Sequence, residues 1–286
     1  MTKLVIDTDP GWDDALVLVL LLAKGDIDVL CVTTVWGNEE IADTTTNARR
    51  MTYCCGRPDI PIYVGCMQAL KPVSIERPCP PSSIVRALPP LGTVVNGMYA
   101  PEMLTAMART HGPELTILAI GSMTNMAAAV ERDTAAMKSV GTVVVTGGTF
   151  TEKKTHEFNL GSDPLATNKL LEAELNPVMI TFDLEMTMNK GDGAQQTMKD
   201  MKTKWASFYA EVIQDQLDQD NSEANEGVFD QLAALYALQP SLFTLEPTRI
   251  RVESGRIIRD PAGHPVRLAT SLNIDAAYEL LFKRLA

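Results

Sequence analysis

Asp7, Asp9, Asp13 and Asp14 fall within eight residues of one another in the stretch "KLVIDTDPGWDDALVLVLLLAKG". Carboxylates gathered so closely repel, and each raises its neighbours' pKa unless a cation shares the space. They offer only oxygen, the donor set of Ca²⁺ or Mg²⁺ rather than of zinc, which prefers Cys and His. A helix cap explains Asp13 or Asp14 taken singly, and Asp230 before "QLAALYAL" reads equally well as a cap. A cap does not explain four acids pressed together with a fifth arriving from elsewhere. Such a cluster suits chemistry in which positive charge develops and a water must be oriented and deprotonated.

The elements around the acids decide whether they meet. "LVI" before Asp7 is a short buried strand, 15–24 is a helix closed by Gly25, and "IDVLCVTTV" is an unalternating, β-branched strand covered on both faces. Strand, helix and strand in this order make a βαβ unit and hence a parallel sheet. A helix over 41–55 and a strand at "PIYVG" follow. The proline-rich stretch 68–101 reads as a long irregular loop. Strands are expected at "LTILAIG", "TVVVTGG" and "VMITFD", with helices over 124–131, 164–173 and 195–219 and another at "DQLAALYALQP". The tail reads as hairpin strands around "RIRVESGRIIRD" and "HPVRLATSLN", then a last helix from Asp275. With no repeat or linker, the expectation is one α/β domain over 1–286, a mostly parallel, Rossmann-like open sheet with helices on both faces. Ligands bind such sheets outside the carboxyl ends of the strands. There the polar residues collect: Asp7 and Asp9, Asn38, Ile120-Gly121, Gly147-Gly148 with "THEFNLGSDP" after them, and Asp230.

A net charge of −11, with scattered Lys and Arg, argues against a nucleic-acid partner. Cys31, Cys54, Cys55, Cys66 and Cys79 form no zinc-type pair, and Cys54-Cys55 sits within an expected helix, so a reducing compartment without disulfides is expected. "ALVLVLLLA" is about half of what spans a bilayer. No signal peptide is evident, and the expectation is a soluble cytoplasmic protein.

Strand-terminal "DTD" resembles the haloacid-dehalogenase phosphatases, in which the first Asp is the nucleophile, but Pro10-Gly11 stands where they carry Gly-Thr or a similar pair. "DTDPGWDDA" is closer to the N-terminal signature of the inosine-uridine preferring nucleoside hydrolase family. The resemblance continues in family order through "VTTVWGN", "AIGSMTNMA", "VVVTGG", "EFNLGSDPLA" and "FDQLAALYALQP". It implies a Ca²⁺-dependent ribonucleoside N-ribohydrolase acting in nucleoside metabolism such as purine salvage, as a homodimer or homotetramer. Position by position, it implies that Asp9, Asp14, the Ile120 carbonyl and Asp230 hold Ca²⁺. Asp9 also takes the proton of the attacking water, and Asp7 supports the cluster from behind. Asp13, Asn38, Glu157 and Asn159 hydrogen-bond the ribose. The chemistry agrees: cleaving an N-glycosidic bond generates an oxocarbenium-like sugar, which clustered negative charge stabilises.

Three departures bear on the base. Phe229 precedes Asp230 where members of broad specificity carry histidine and purine-selective ones tryptophan. "ERPCPPSSIVRALPPLG" replaces a His- and Gly-rich stretch, and "TFTEKKTH" lacks an asparagine that contacts the 5′ end of the ribose. The expectation is a purine or modified base stacked on Phe229, with His156 as a loop proton donor. The alternative is a weakly catalytic ribose- or nucleoside-binding protein that keeps the metal cage.

Overall fold

The computed structural model describes residues 3–71, 81–89, 95–151, 157–188, 193–219 and 229–286. Strand β1 (Lys3–Thr8) leads into helix α1 (Trp12–Leu22), β2 (Asp28–Thr34), α2 (Ile41–Cys54) and β3 (Ile62–Val64). Short α3 (Ser83–Ala87) and β4 (Val95–Asn96) come next, then α4 (Ala100–His111), β5 (Leu115–Ala119), α5 (Thr124–Arg132), α6 (Thr134–Lys138) and β6 (Thr142–Thr146). Beyond them lie α7 (Phe158–Gly161), α8 (Pro164–Glu172), β7 (Val178–Ile180), α9 (Phe182–Met188), α10 (Ala194–Met201), α11 (Lys204–Asp218) and α12 (Gln231–Leu238). The chain closes with β8 (Phe243–Glu253), β9 (Arg256–Arg259), β10 (His264–Leu272) and α13 (Ile274–Leu285).

Among the described residues ten strands join one sheet in the order β4-β3-β2-β1-β5-β6-β7-β10-β8-β9. It is parallel from β4 through β10, and only β8 and β9 run antiparallel to their neighbours. The chain winds outward from β1 to one edge, then returns to place β5 on the other side of β1. Strand order therefore reverses between β1 and β5, which opens a crevice at their carboxyl ends. Side chains alternate across β1: Leu4 and Ile6 join a core with α1, α11, α12 and α13, while Val5 joins a second core with α4, α5 and α8. The expected helices on both faces are present.

Every residue of α1 except Asp13 is buried, because α2, α11, α12 and α13 pack around it. This explains its nearly unbroken apolar sequence: a helix with no solvent face needs no polar stripe. No helix among the described residues is long and apolar enough to cross a membrane.

Three local expectations change. The helix expected over 195–219 is two helices, α10 and α11, broken where Lys202 adopts a left-handed backbone with φ 52°. Thr203 caps α11 through its hydroxyl, which accepts from the Ala206 N–H and donates to the Leu285 carbonyl at 2.6 Å. The break is thus tied to the chain's far end. Within the stretch read as loop, α3 and β4 form, and Pro101 sits in the first turn of α4, where its missing N–H costs no helical bond. "EFNLGS", read as loop, holds the single turn α7.

Candidate active site

Asp9 follows β1, and its carboxylate lies at the reversal point between β1 and β5. Its Oδ2 accepts from the backbone N–H of Asn38 at 2.7 Å, and the Asn38 side-chain amide donates to the Asp9 carbonyl (3.3 Å) and to Asp14 Oδ2 (3.0 Å). Two glycines make the close approach possible. A β-carbon on Gly37 would fall 1.8 Å from Asp9 Oδ2, and one on Gly121 would fall 2.5 Å from Asp9 Oδ1. The glycines of "WGN" and "AIG" thus leave room for one carboxylate between them.

Asp13 and Asp14 lie inside the first turn of α1 rather than before it. Asp14 completes the turn by accepting from the Gly11 N–H at 3.3 Å and from the Thr8 hydroxyl. Capping, therefore, is part of what Asp14 does. Asp230 is different: although it precedes α12, its side chain makes no capping bond, and its Oδ1 accepts instead from the Thr146 hydroxyl at 2.7 Å. One carboxylate oxygen each from Asp13, Asp14 and Asp230 lie within 4.8 Å of one another, with Asp14 and Asp230 buried and Asp13 half-buried.

Burial first, and mutual repulsion second, push Asp9 and Asp230 well above the usual carboxylate range; burial also raises Asp14. Asp9 Oδ1 is buried without a hydrogen-bond partner among the described residues. Stranded buried charge of this kind is costly unless compensated. A hard cation would supply the compensation, and an all-oxygen donor set fits Ca²⁺ or Mg²⁺. These residues therefore fit a metal.

The remaining predicted residues are brought to the same rim, with one addition and one exception. Asn159 Nδ2 donates to the Ile120 carbonyl at 2.9 Å, and the Ile120 N–H donates to the Asp7 carbonyl at 2.9 Å, so the peptide expected to face the metal is held on both sides. Glu157 accepts from the N–H groups of Asn159 (2.8 Å) and Leu160 (2.9 Å), which caps α7. Phe229 is buried, edge-on to Trp12 at 5.7 Å and stacked on Phe182 at 6.1 Å. The addition is Asp13, expected to contact ribose, whose carboxylate also approaches Asp14 and Asp230. The exception is His156, which lies outside the described residues.

Asp7 stands behind the cluster. Its Oδ1 accepts from the Thr33 hydroxyl (2.6 Å) and Asn125 Nδ2 (2.7 Å), and burial pushes its pKa up to about 7. A fully buried side chain tied in this way is poorly placed to be a phosphatase nucleophile. Sequence reasoning missed Trp12, Phe182, Thr146 and Asn125. All four lie in stretches that had drawn notice ("DTDPGWDDA", "VMITFD", "VVVTGG" and "AIGSMTNMA"), but nothing local marks which of their side chains faces the site.

The family model "Inosine-uridine preferring nucleoside hydrolase" matches residues 4–279. Uridine nucleosidase 1 of Arabidopsis thaliana is 27% identical over 267 residues, covering 88% of this chain and 78% of that protein. Protein C1683.06c of Schizosaccharomyces pombe, described as uncharacterized, is 35% identical over 190 residues; the match spans 64% of this chain and 61% of that protein. Among solved structures, a plant nucleoside hydrolase superposes with a TM-score of 0.87 at 23% identity, over 99% of this chain and 98% of that one, which shows the shared fold.

Proposed function

Because the chain belongs to the inosine-uridine preferring nucleoside hydrolase family, whose members hydrolyse the N-glycosidic bond of ribonucleosides, we propose that it does so with Asp9 as the base. In this reading Ca²⁺ is held by Asp9, Asp14, the Ile120 carbonyl and Asp230. The observation that carries it is the convergence of Asp13, Asp14 and Asp230, from segments more than 200 residues apart, with Asp9 tied to Asp14 through Asn38 beside them.

Bound there, Ca²⁺ would offset the repulsion among the acids and polarise the oxygens beside it. The chain's own groups do the rest. Asn38 holds one oxygen of Asp9, leaving the other to accept the proton of the attacking water. Asp13, less buried than its neighbours, reaches the ribose diol, together with Asn38, Glu157 and Asn159. The negative field of the cluster favours the oxocarbenium-like sugar as the C–N bond lengthens. Phe229 cannot donate a proton; braced by Trp12 and Phe182, it offers an apolar face to a wide base. A purine or enlarged base is therefore the favoured leaving group, protonated by solvent or by His156. The Arabidopsis relative is named for uridine, so base preference is the sharper part of the test.

Incubation with a panel of ribonucleosides and phosphate esters, read as reducing sugar and as phosphate, tests the reading. Release of ribose, lost on chelation and restored by Ca²⁺, is expected, with purine nucleosides ahead of uridine. Phosphate release, or nucleoside binding without cleavage, would overturn it.

A further inference from the structure

Glu39 is a buried carboxylate, 4% exposed, with no part in the chemistry above. Its Oε1 accepts from Asn47 Nδ2 at 3.1 Å, and its Oε2 accepts from Arg86 Nη2 at 2.5 Å. The same Asn47 amide donates at 2.8 Å to the carbonyl of Pro10, the residue after Asp9. On its other side Glu39 adjoins Asn38, and the Gly37 N–H closes that turn onto the Glu39 carbonyl at 3.2 Å. The turn presents the Asn38 N–H to Asp9. One carboxylate thus anchors both supports of Asp9, the Asn38 turn and the Pro10 peptide.

Its counter-charge comes from outside this loop. Arg86 lies on α3 and its side chain is half-exposed. Helix α3 is itself seated from two directions. Asp215 of α11 accepts from the Ser82 hydroxyl and the Ser83 N–H, both at 2.9 Å, and Arg50 Nε donates to the Leu88 carbonyl at 3.0 Å. Arg50 also donates to Asn47 Oδ1 at 2.8 Å, so the bonds close a circuit from α3 through α2 to the acidic loop.

We propose that Arg86 and Glu39 are positioning residues for hydrolysis: Arg86 neutralises Glu39, and Glu39 holds the Asn38 turn and the Pro10 peptide that aim Asp9. This rests on the role given to Asp9 above. Without Arg86 the Glu39 carboxylate keeps the Asn47 amide as its one side-chain donor among the described residues, so it must turn towards water and take the turn with it. A displacement of about 1 Å at a reacting group costs on the order of a hundredfold in rate. Of the groups assigned to the ribose, Asp13, Glu157 and Asn159 are untouched and only Asn38 moves with the turn, so the loss should fall more on kcat than on KM.

The test is a double-mutant cycle on a ribonucleoside that the wild type cleaves, with thermal melting to establish that each variant is folded. Arg86→Met should lower kcat by about tenfold or more while KM moves less than about threefold. Arg86→Lys, which keeps a cation near Glu39, should recover most of that loss. In a Glu39→Gln background, Arg86→Met should cost almost nothing further, because no buried charge remains to be neutralised. Unchanged kcat in folded Arg86→Met, or losses that simply multiply in the double variant, would overturn the proposal while leaving the hydrolase reading intact. Should Arg86→Met not fold, Glu39→Gln and Arg86→Lys decide: wild-type kcat in Glu39→Gln overturns it. A wild-type protein that releases no base overturns both readings.

Discussion

Asp7 makes the buried acids measurable without any substrate. Its pKa rises from 3.8 to about 7 because the carboxylate is wholly desolvated, and the Thr33 and Asn125 donors only partly offset that. A folded pKa above the unfolded one means that the folded state holds the proton more tightly. The associated stability is fully present below pH 3.8 and is lost as pH rises through 7. About three pH units at ~1.4 kcal/mol each amount to ~4 kcal/mol, a large part of the 5–15 kcal/mol that typically holds a domain together. Asp7→Asn removes the titration and keeps an oxygen for Thr33 and Asn125. At pH 4 the neutral acid and the amide should be similarly stable, since each places a donor hydrogen where Oδ2 has no partner. At pH 8 the variant should be the more stable by roughly 4 kcal/mol. Urea unfolding at 25 °C from pH 4 to 8, with chelator present, reads this as a difference between two curves. At a slope of about 3 kcal/mol per molar, the midpoints should separate by more than ~1 M at pH 8. Asp9, Asp14 and Asp230 also titrate, but they do so in both proteins, and the Asp7 shift comes from burial and its own hydrogen bonds rather than from their charges, so they cancel in the difference. Parallel curves across the range would refute the desolvation argument.

Three further outcomes are expected. Stripping the metal should abolish turnover and lower the melting temperature, and restoring Ca²⁺ at a hundred times its Kd should return about 2.7 kcal/mol of stability; calorimetry with and without the ion is the check. Asp9→Asn should reduce kcat by several orders of magnitude, far more than Asp7→Asn, and Gly121→Ala should resemble it, because the added methyl occupies the space of Asp9 Oδ1; steady-state kinetics on a ribonucleoside would expose the opposite ranking. Phe229→Ala should slow a purine nucleoside much more than a riboside with an intrinsically good leaving group, and equal losses on both would mean that Phe229 only packs between Trp12 and Phe182.

Much of this could be read along the chain. The alternation of β-branched strands with helices required a mostly parallel sheet, because adjacent parallel strands need a long crossover and a helix satisfies its own backbone. Asp7, Asp9, Asn38, Glu157 and Asn159 stand out because they read as loop residues after strands, and the carboxyl ends of parallel strands share one rim; Asp230, which opens a helix instead, is assigned to the site by the family resemblance. What the chain could not disclose was pairing at long separation. Thr146 meets Asp230 across 84 positions, Asn125 meets Asp7 across 118, and Arg86 meets Glu39 across 47. The break at Lys202 carries neither Gly nor Pro to announce it, and its cap reaches Leu285. Local sequence alone left Asp230 readable as a helix cap, and only the family resemblance gave it to the metal; the fold sets Thr146 and the α1 acids opposite it. Local periodicity reports which elements form, since backbone bonding and burial repeat every few residues. The partner of a given carboxylate depends instead on sheet register and on helices packed from distant segments, and that is decided only when the whole chain is folded.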